Sequence, residues 1–261
     1  MQDLGMKHAM TKFILQLLLP EQKEHCAAVA DDLIQTGTNE PDFLEKVITR
    51  DELWVHSCDP ETKTQSSQQK LPSSPLPKKA QHSCSKIKTM LTVFFDWEGV
   101  THHEYTLQAK QLVRSNYLHV LHWLRDAIWQ KQPQLWAAGD WQLHLNNAPT
   151  HASCLVHSFL AEHQITQVTQ AHYSPDLVPC DFWLFPELKS PLKGKRFQTI
   201  DEIQENRTEQ LMTVPTKDFT VFWTVEEMLG ELCEVPGYLF WWEPRYHCLT
   251  YNVSCIFYLL Q

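Results

Sequence analysis

The stretch WQLHLNNAPTH, from Trp141 to His151, decides how the chain is read. Trp141, Leu143 and Leu145 alternate with Gln142 and His144, which is the period of a strand with one face buried. The strand then runs directly into two amides, Asn146 and Asn147. A polar pair at the end of an apolar strand marks a place where active sites are built, so what surrounds Asn146 becomes the central question.

Working outward, the elements on either side fall into a recognisable order. Upstream, Val47 to Val55 reads as a strand carrying Asp51, although TRDELWV also has the makings of a helix start. MLTVFF from Met90 is a dense strand, DWEG from Asp96 a turn, and VTHHEYT from Val100 the return strand of a hairpin. Val113, Tyr117, Val120, Leu121, Leu124 and Ile128 keep helical spacing up to a stop at Pro133. Downstream of the Trp141 strand come a helix with Leu155, Val156, Phe159 and Leu160 on one face, a short strand at Ile165 to Val168, and a helix from Asp181. Strand, hairpin, helix, strand, helix, strand, helix is the order of an α/β domain of ribonuclease H-like type, a mixed sheet flanked by helices.

The rest of the chain frames this unit. Its 261 residues, 43% hydrophobic, suffice for one substantial core. Residues 1–45 read as two helical pieces, the second opened by Pro20 with Cys26, Val29, Ala30 and Leu33 as its apolar stripe. The net charge of -9 announces no nucleic acid globally. Basic residues are nevertheless clustered: no acid falls between Glu61 and Asp96, an interval holding Lys63, Lys70, Lys78, Lys79, Lys86 and Lys88. A second cluster is Lys189, Lys193, Lys195 and Arg196. From Pro60 to Ser85 the composition turns to Ser, Gln, Pro and Lys, read either as a surface insertion or as a binding loop. Eight cysteines without a C-x-x-C pair suit reduced thiols. The apolar run Phe13 to Leu19 lacks the features of a signal peptide, and no segment reaches the roughly 18 to 20 residues of a membrane span. The expectation is an intracellular protein with no membrane partner.

Three positions stand where a metal could be held: Asp51 in the first strand, position 146 at the end of a central strand, and Asp181 at the start of a late helix. In an α/β sheet these can converge on one edge, where three carboxylates would hold two divalent cations about 3.5 to 4 Å apart for phosphodiester displacement. Spacing alone leaves this open, since Asp181 also suits a helix N-cap.

GDWQLHLNNAPTH and HYSPDLVPCDFWLFPELKSPLKGKRFQTIDEIQEN, with DPETKTQSSQQK and KTMLTVFFDWEGVTHHE upstream, resemble the catalytic part of mariner-type DNA transposases from about residue 3 to 220. The resemblance implies a ribonuclease H-like catalytic domain over 46–220, a helical linker remnant at 1–45, a clamp-like loop at 59–85 and a divergent aromatic-rich tail at 221–261. It also implies a homodimer acting on DNA in the nucleus, or found in the cytoplasm, and three aspartates using Mg2+ or Mn2+ to cut and join strands. The first aspartate corresponds to Asp51 and the third to Asp181; 181 minus 146 is 35, leaving the family's 34-residue interval. The second belongs to a His-Asp-Asn-Ala-Pro motif, and here its position is Asn146.

An amide offers one neutral carbonyl oxygen where a carboxylate offers two charged ones. The triad therefore carries two negative charges instead of three. Weakened metal binding and impaired cleavage are expected, against the alternative of residual activity with Asn146 as a neutral ligand. His151 is a candidate to orient a phosphate or water. Lys63, Lys78, Lys79, Lys193, Lys195 and Arg196 are candidates for DNA phosphate, with a solvated helix end as the competing reading of the last three. His102, His103, Glu98 and Glu104 read as exposed surface groups. The family's N-terminal helix-turn-helix modules and its Trp-Val-Pro-His linker motif have no counterpart here, FILQLLLPEQK standing at the linker's place. Three functions follow: an enzyme of mariner type now defective, an inactive DNA-binding or subunit-interacting protein, or a relic of the element.

Overall fold

The computed structural model describes residues 19–59, 87–107, 114–148, 151–171, 174 and 177–222. The Lys-rich loop from Pro60, the residues before Leu19 and the aromatic tail from Trp223 lie outside them, as do Lys63, Lys78 and Lys79.

Five strands form one sheet in the order β3-β2-β1-β4-β5. β1 (Val47–His56), β2 (Lys88–Asp96) and β3 (Gly99–Leu107) are antiparallel neighbours, whereas β4 (Gln142–His144) and β5 (Thr166–Val168) run parallel to β1. The hairpin between β2 and β3 is closed by Asp96, whose carboxylate accepts from the backbone N–H of Glu98 and Gly99 and from the Thr101 hydroxyl. Gly99 sits at φ 133°, a conformation L side chains rarely adopt.

Each face of the sheet buries its own core. On one face, Ile48, Phe94, Leu143 and Leu145 pack against α2 (Arg114–Lys131) and α4 (Cys154–Glu162), through Tyr117, Val120, Leu121, Leu124, Ile128, Val156, Phe159 and Leu160. On the other, Val47, Leu53, Val55, Leu91, Val93 and Phe95 pack against α1 (Pro20–Asn39), a π-helical turn at Cys180–Leu184, α5 (Phe185–Lys189), α6 (Ile200–Thr213) and α7 (Thr216–Phe222). The stripe Cys26, Val29, Ala30 and Leu33 on α1 is buried as its spacing predicts.

Several local expectations are corrected. Pro133 does not simply end a helix: it opens α3 (Pro133–Ala138) at the first helical position, where its missing N–H is no loss. The strand at Trp141 is covered on both faces, because helices pack on both sides of the sheet, so His144 is buried as well as Leu143. Leu155 is 51% exposed and Val156, Phe159 and Leu160 carry the packing of α4 alone. His102, His103 and Glu104 are half-buried rather than solvated, since α2 lies along β3. Asp181 is not an N-cap; it sits one residue into the π turn, with Pro179 before it. That wide turn has a local cause. Pro186 cannot donate to the carbonyl four residues back and its ring would crowd it, so the chain opens to an i to i+5 bond from Phe185 N–H to the Cys180 carbonyl just upstream. No helix among the described residues is long and apolar enough to cross a membrane.

Candidate active site

The site forms where β4 stops short. β1 and β4 pair in parallel from Val47–Gln142 to Thr49–His144, and beyond His144 the two chains part. Continuing that register two residues further sets Asn146 opposite Asp51, on the same face of the sheet. The π turn crosses above them and delivers Asp181. The three positions singled out from the sequence therefore meet at one edge.

Their contacts are specific. Asn146 Nδ2 donates to Asp51 Oδ1 at 2.7 Å, and the Glu52 backbone N–H donates to the same oxygen at 2.8 Å. The Asn146 carbonyl oxygen Oδ1 accepts from Ala148 N–H at 3.3 Å. These partners fix which way the amide faces: reversed, it would set an oxygen against a carboxylate and an NH2 against an N–H. Burial, the Asp181 charge and the Glu52 charge together hold the Asp51 carboxyl well above the usual carboxylate range. Asp181 is pushed up to about 6, chiefly by burial, against the opposing pull of Lys189. Burial and neighbouring like charge both disfavour the ionised form of a carboxyl.

A second layer lies behind β1, on the opposite face. Arg50, 1% exposed, donates through Nη1 to His151 Nε2 and through Nη2 to Glu52. Its guanidinium stacks 4.4 Å from the Tyr117 ring centroid and 5.5 Å from that of Phe94. Burial alone would raise the Glu52 carboxyl, but Arg50 and His151 outweigh it and bring it down to about 2. His151 Nδ1 lies 3.1 Å from the Asn146 backbone carbonyl, which can only accept. Nδ1 therefore carries the hydrogen and Nε2 accepts from Arg50. Burial first, and the Arg50 charge next, lower the imidazole's proton affinity, which agrees with this neutral tautomer. Both ring nitrogens are thus engaged inside the protein, which displaces the expectation that His151 orients a phosphate or water. His144, on the Asp51 face, braces the same edge: Nε2 donates to Gln170 Oε1 at 2.6 Å and Nδ1 accepts from Thr49 Oγ1 at 3.1 Å.

These residues do not fit a paired-cation centre as they stand. Among the described residues no three His, Cys, Asp or Glu side chains are placed to hold a metal ion. Position 146, the second of the three candidate positions, is an amide with its donor turned inward, and Asp51 Oδ1 already accepts two N–H groups.

The basic residues form a separate feature. Lys195 and Arg196 are exposed and Lys193 partly so, in the turn that directly follows a short 3-10 helix at Ser190–Leu192 whose C-cap is Lys193, with Gly194 at φ 83°. The turn is pinned to the chain leaving β1: Gly194 N–H donates to the Asp59 carbonyl at 3.0 Å, Phe197 N–H to the Ser57 carbonyl at 2.7 Å. From α6, buried Arg207 donates to the Asp59 carboxylate at 2.8 Å and to the Leu188 carbonyl. Sequence reasoning missed Arg50, Glu52 and Arg207, since a charge in a strand or helix reads as solvated. A basic residue followed at once by two acids in a strand was the available signal for the first two.

Comparison with known proteins agrees with this fold. The family described as transposase (partial DDE domain) matches residues 59–138. The mariner Mos1 transposase of Drosophila mauritiana is 28% identical over 164 residues, 62% of this chain and 47% of that protein. The histone-lysine N-methyltransferase SETMAR of Homo sapiens is 26% identical over 224 residues, 84% of this chain and 31% of that protein. A pre-cleavage Mos1 transpososome superposes with a TM-score of 0.80 at 23% identity, over 87% of this chain and 66% of the Mos1 chain.

The matches support a mariner-type transposase catalytic region.

The chain spans about half the length or less of the curated relatives it matches. Its sheet and flanking helices are those of the ribonuclease H-like Mos1 catalytic domain. At this sheet edge an amide, Asn146, stands beside Asp51.

Proposed function

We propose that this chain is a mariner transposase-derived DNA-binding protein whose strand-cleavage centre is impaired. The observation that carries the reading is the 2.7 Å hydrogen bond from Asn146 Nδ2 to Asp51 Oδ1. A carboxylate at that position would bring a third negative charge and draw cations in. The amide brings a positive N–H dipole and satisfies Asp51 without one. Mos1 paired-end complexes have been crystallised with manganese and with magnesium, and by that likeness Mg2+ or Mn2+ is the cofactor whose binding Asn146 weakens.

Affinity for DNA does not pass through this centre. Lys193, Lys195 and Arg196 stand apart from it, and in this reading they meet the phosphate backbone by charge, along with Lys63, Lys78 and Lys79 of the 59–85 loop. Pairing of two copies on DNA, and a nuclear place of action, belong to the same reading. Residues 46–220 form its catalytic-type domain, 1–45 its linker and 221–261 a divergent tail.

The test compares this chain with Asn146→Asp in nicking a transposon-end duplex with MgCl2 or MnCl2. The chain itself is expected at background and the variant above it. Equal rates would defeat the reading.

A further inference from the structure

The contacts around Asn146 close into a circuit. Asp51 Oδ1 accepts from Asn146 Nδ2; the Asn146 main-chain carbonyl accepts from His151; His151 accepts from Arg50; Arg50 donates to Glu52; and Glu52 N–H returns to Asp51 Oδ1. The circuit passes from one face of the sheet to the other through the notch where β4 ends. Three of its five links join two side chains and the other two join a side chain to the backbone, and two of its members, Arg50 and His151, are 1% and 2% exposed.

We propose that Arg50 is a positioning residue for the site: acting through His151, it clamps the main chain at position 146 against β1 and so sets where the side chain of that residue lies relative to Asp51. The Arg50 guanidinium donates to His151 and to Glu52, and its hold on position 146 is relayed through His151. Its planar fork serves His151 and Glu52 at once, from a site walled by Tyr117 and Phe94. Position 146 has no strand partner to hold it, because β4 has already left β1. The relay supplies what the ladder does not. It holds an amide against Asp51 in this chain and would hold a carboxylate in the same place.

The test rests on the proposed reading of Asn146, so two measurements separate the two ideas. In the first, Mn2+ is titrated by calorimetry into Asn146→Asp and into Asn146→Asp combined with Arg50→Met, well below the unfolding temperature of each. Loss of an outer partner of a metal ligand weakens metal affinity by about 10- to 100-fold, and that loss is expected in the double variant. Equal affinities would overturn the proposal. Arg50→Lys keeps the charge but cannot serve both partners, so it should behave as Arg50→Met; full recovery by lysine would mean that charge, not position, is the contribution. His151→Phe keeps the ring packing on Tyr117 and cuts the circuit at a second point, with the same loss expected should Arg50→Met fold poorly.

If Asn146→Asp binds no Mn2+ at all, the reading of Asn146 as the single missing ligand falls, and a thermodynamic cycle decides on Arg50. Arg50→Met and Asn146→Ala, which do not touch, are expected to be coupled by about fivefold in the unfolding equilibrium constant. Additive effects would refute the relay.

Discussion

Replacing Asn146 by aspartate tests the electrostatics of the site without any catalytic assay. In chelator the variant loses an amide donor to a buried carboxylate, a bond of the kind worth about 1.5 to 3 kcal/mol. It also brings a third acid beside Asp51 and Asp181, whose carboxyls are both already held above the usual range. Two full charges 4 Å apart at an effective dielectric of 20 repel by about 4 kcal/mol. The new carboxyl avoids most of this by staying protonated, at about 1.4 kcal/mol per unit that its pKa rises. A net destabilisation of about 3 kcal/mol follows, or roughly 6 to 12 °C in midpoint for a chain of this size. Manganese at a hundred times its dissociation constant returns about 2.7 kcal/mol. Thermal unfolding followed by circular dichroism, in EDTA and in MnCl2, should therefore show a variant that is fragile without the cation and nearly restored with it. The parent chain's midpoint should not move between the two buffers. A variant as stable as the parent in EDTA, and indifferent to manganese, would refute the reasoning.

Four further outcomes are expected. Arg207→Met leaves Asp59 without its buried partner and should cost about 3 to 5 kcal/mol in urea unfolding, with faster hydrogen exchange at the Gly194 amide. Lys195→Ala and Arg196→Ala should each lower the salt slope of duplex binding by about 0.9 in log-log terms, with little sequence dependence. His102 is held down to about 4 by burial first, then by His103 and Lys131, against 6.5 when unfolded. Its contribution to stability is therefore complete above pH 6.5 and is lost as the pH falls towards 4, a slope that His102→Asn should flatten in a series of midpoints against pH. Leu143→Ala, at a fully buried central position, should cost about 2 to 5 kcal/mol by chemical denaturation.

The legible parts of the fold were those where burial follows a single period. MLTVFF and the Tyr117, Val120, Leu121, Leu124, Ile128 spacing gave β2 and α2 because one apolar face meets one core. TRDELWV left strand and helix open because Thr49, Arg50, Asp51 and Glu52 are polar in succession, and their burial rests on hydrogen bonds that span about a hundred residues, such as Thr49 with His144. Asp51, position 146 and Asp181 came into view through resemblance, and their meeting at one edge follows from the β1–β4 register and the π turn. The direction of the Asn146 amide was not legible, since it depends on the backbone N–H of Ala148 and on the carboxylate of Asp51 together. Nor was the burial of Arg50 read, for which the two acids that follow it within a strand were the one local signal.

At position 146, stability and chemistry pull in opposite directions. A site made to grip cations concentrates like charges, and the folded chain bears that repulsion until the cations arrive. An amide has almost the carboxylate's shape, fills the same space, and replaces repulsion by attraction towards Asp51. On the proposed reading, the amide therefore stabilises the empty domain by the same interaction that weakens cation binding. An amide at position 146 thus leaves this site with one anion fewer while its neighbours Asp51 and Ala148 keep their hydrogen bonds, and on the proposed reading the fold can persist without the cleavage chemistry.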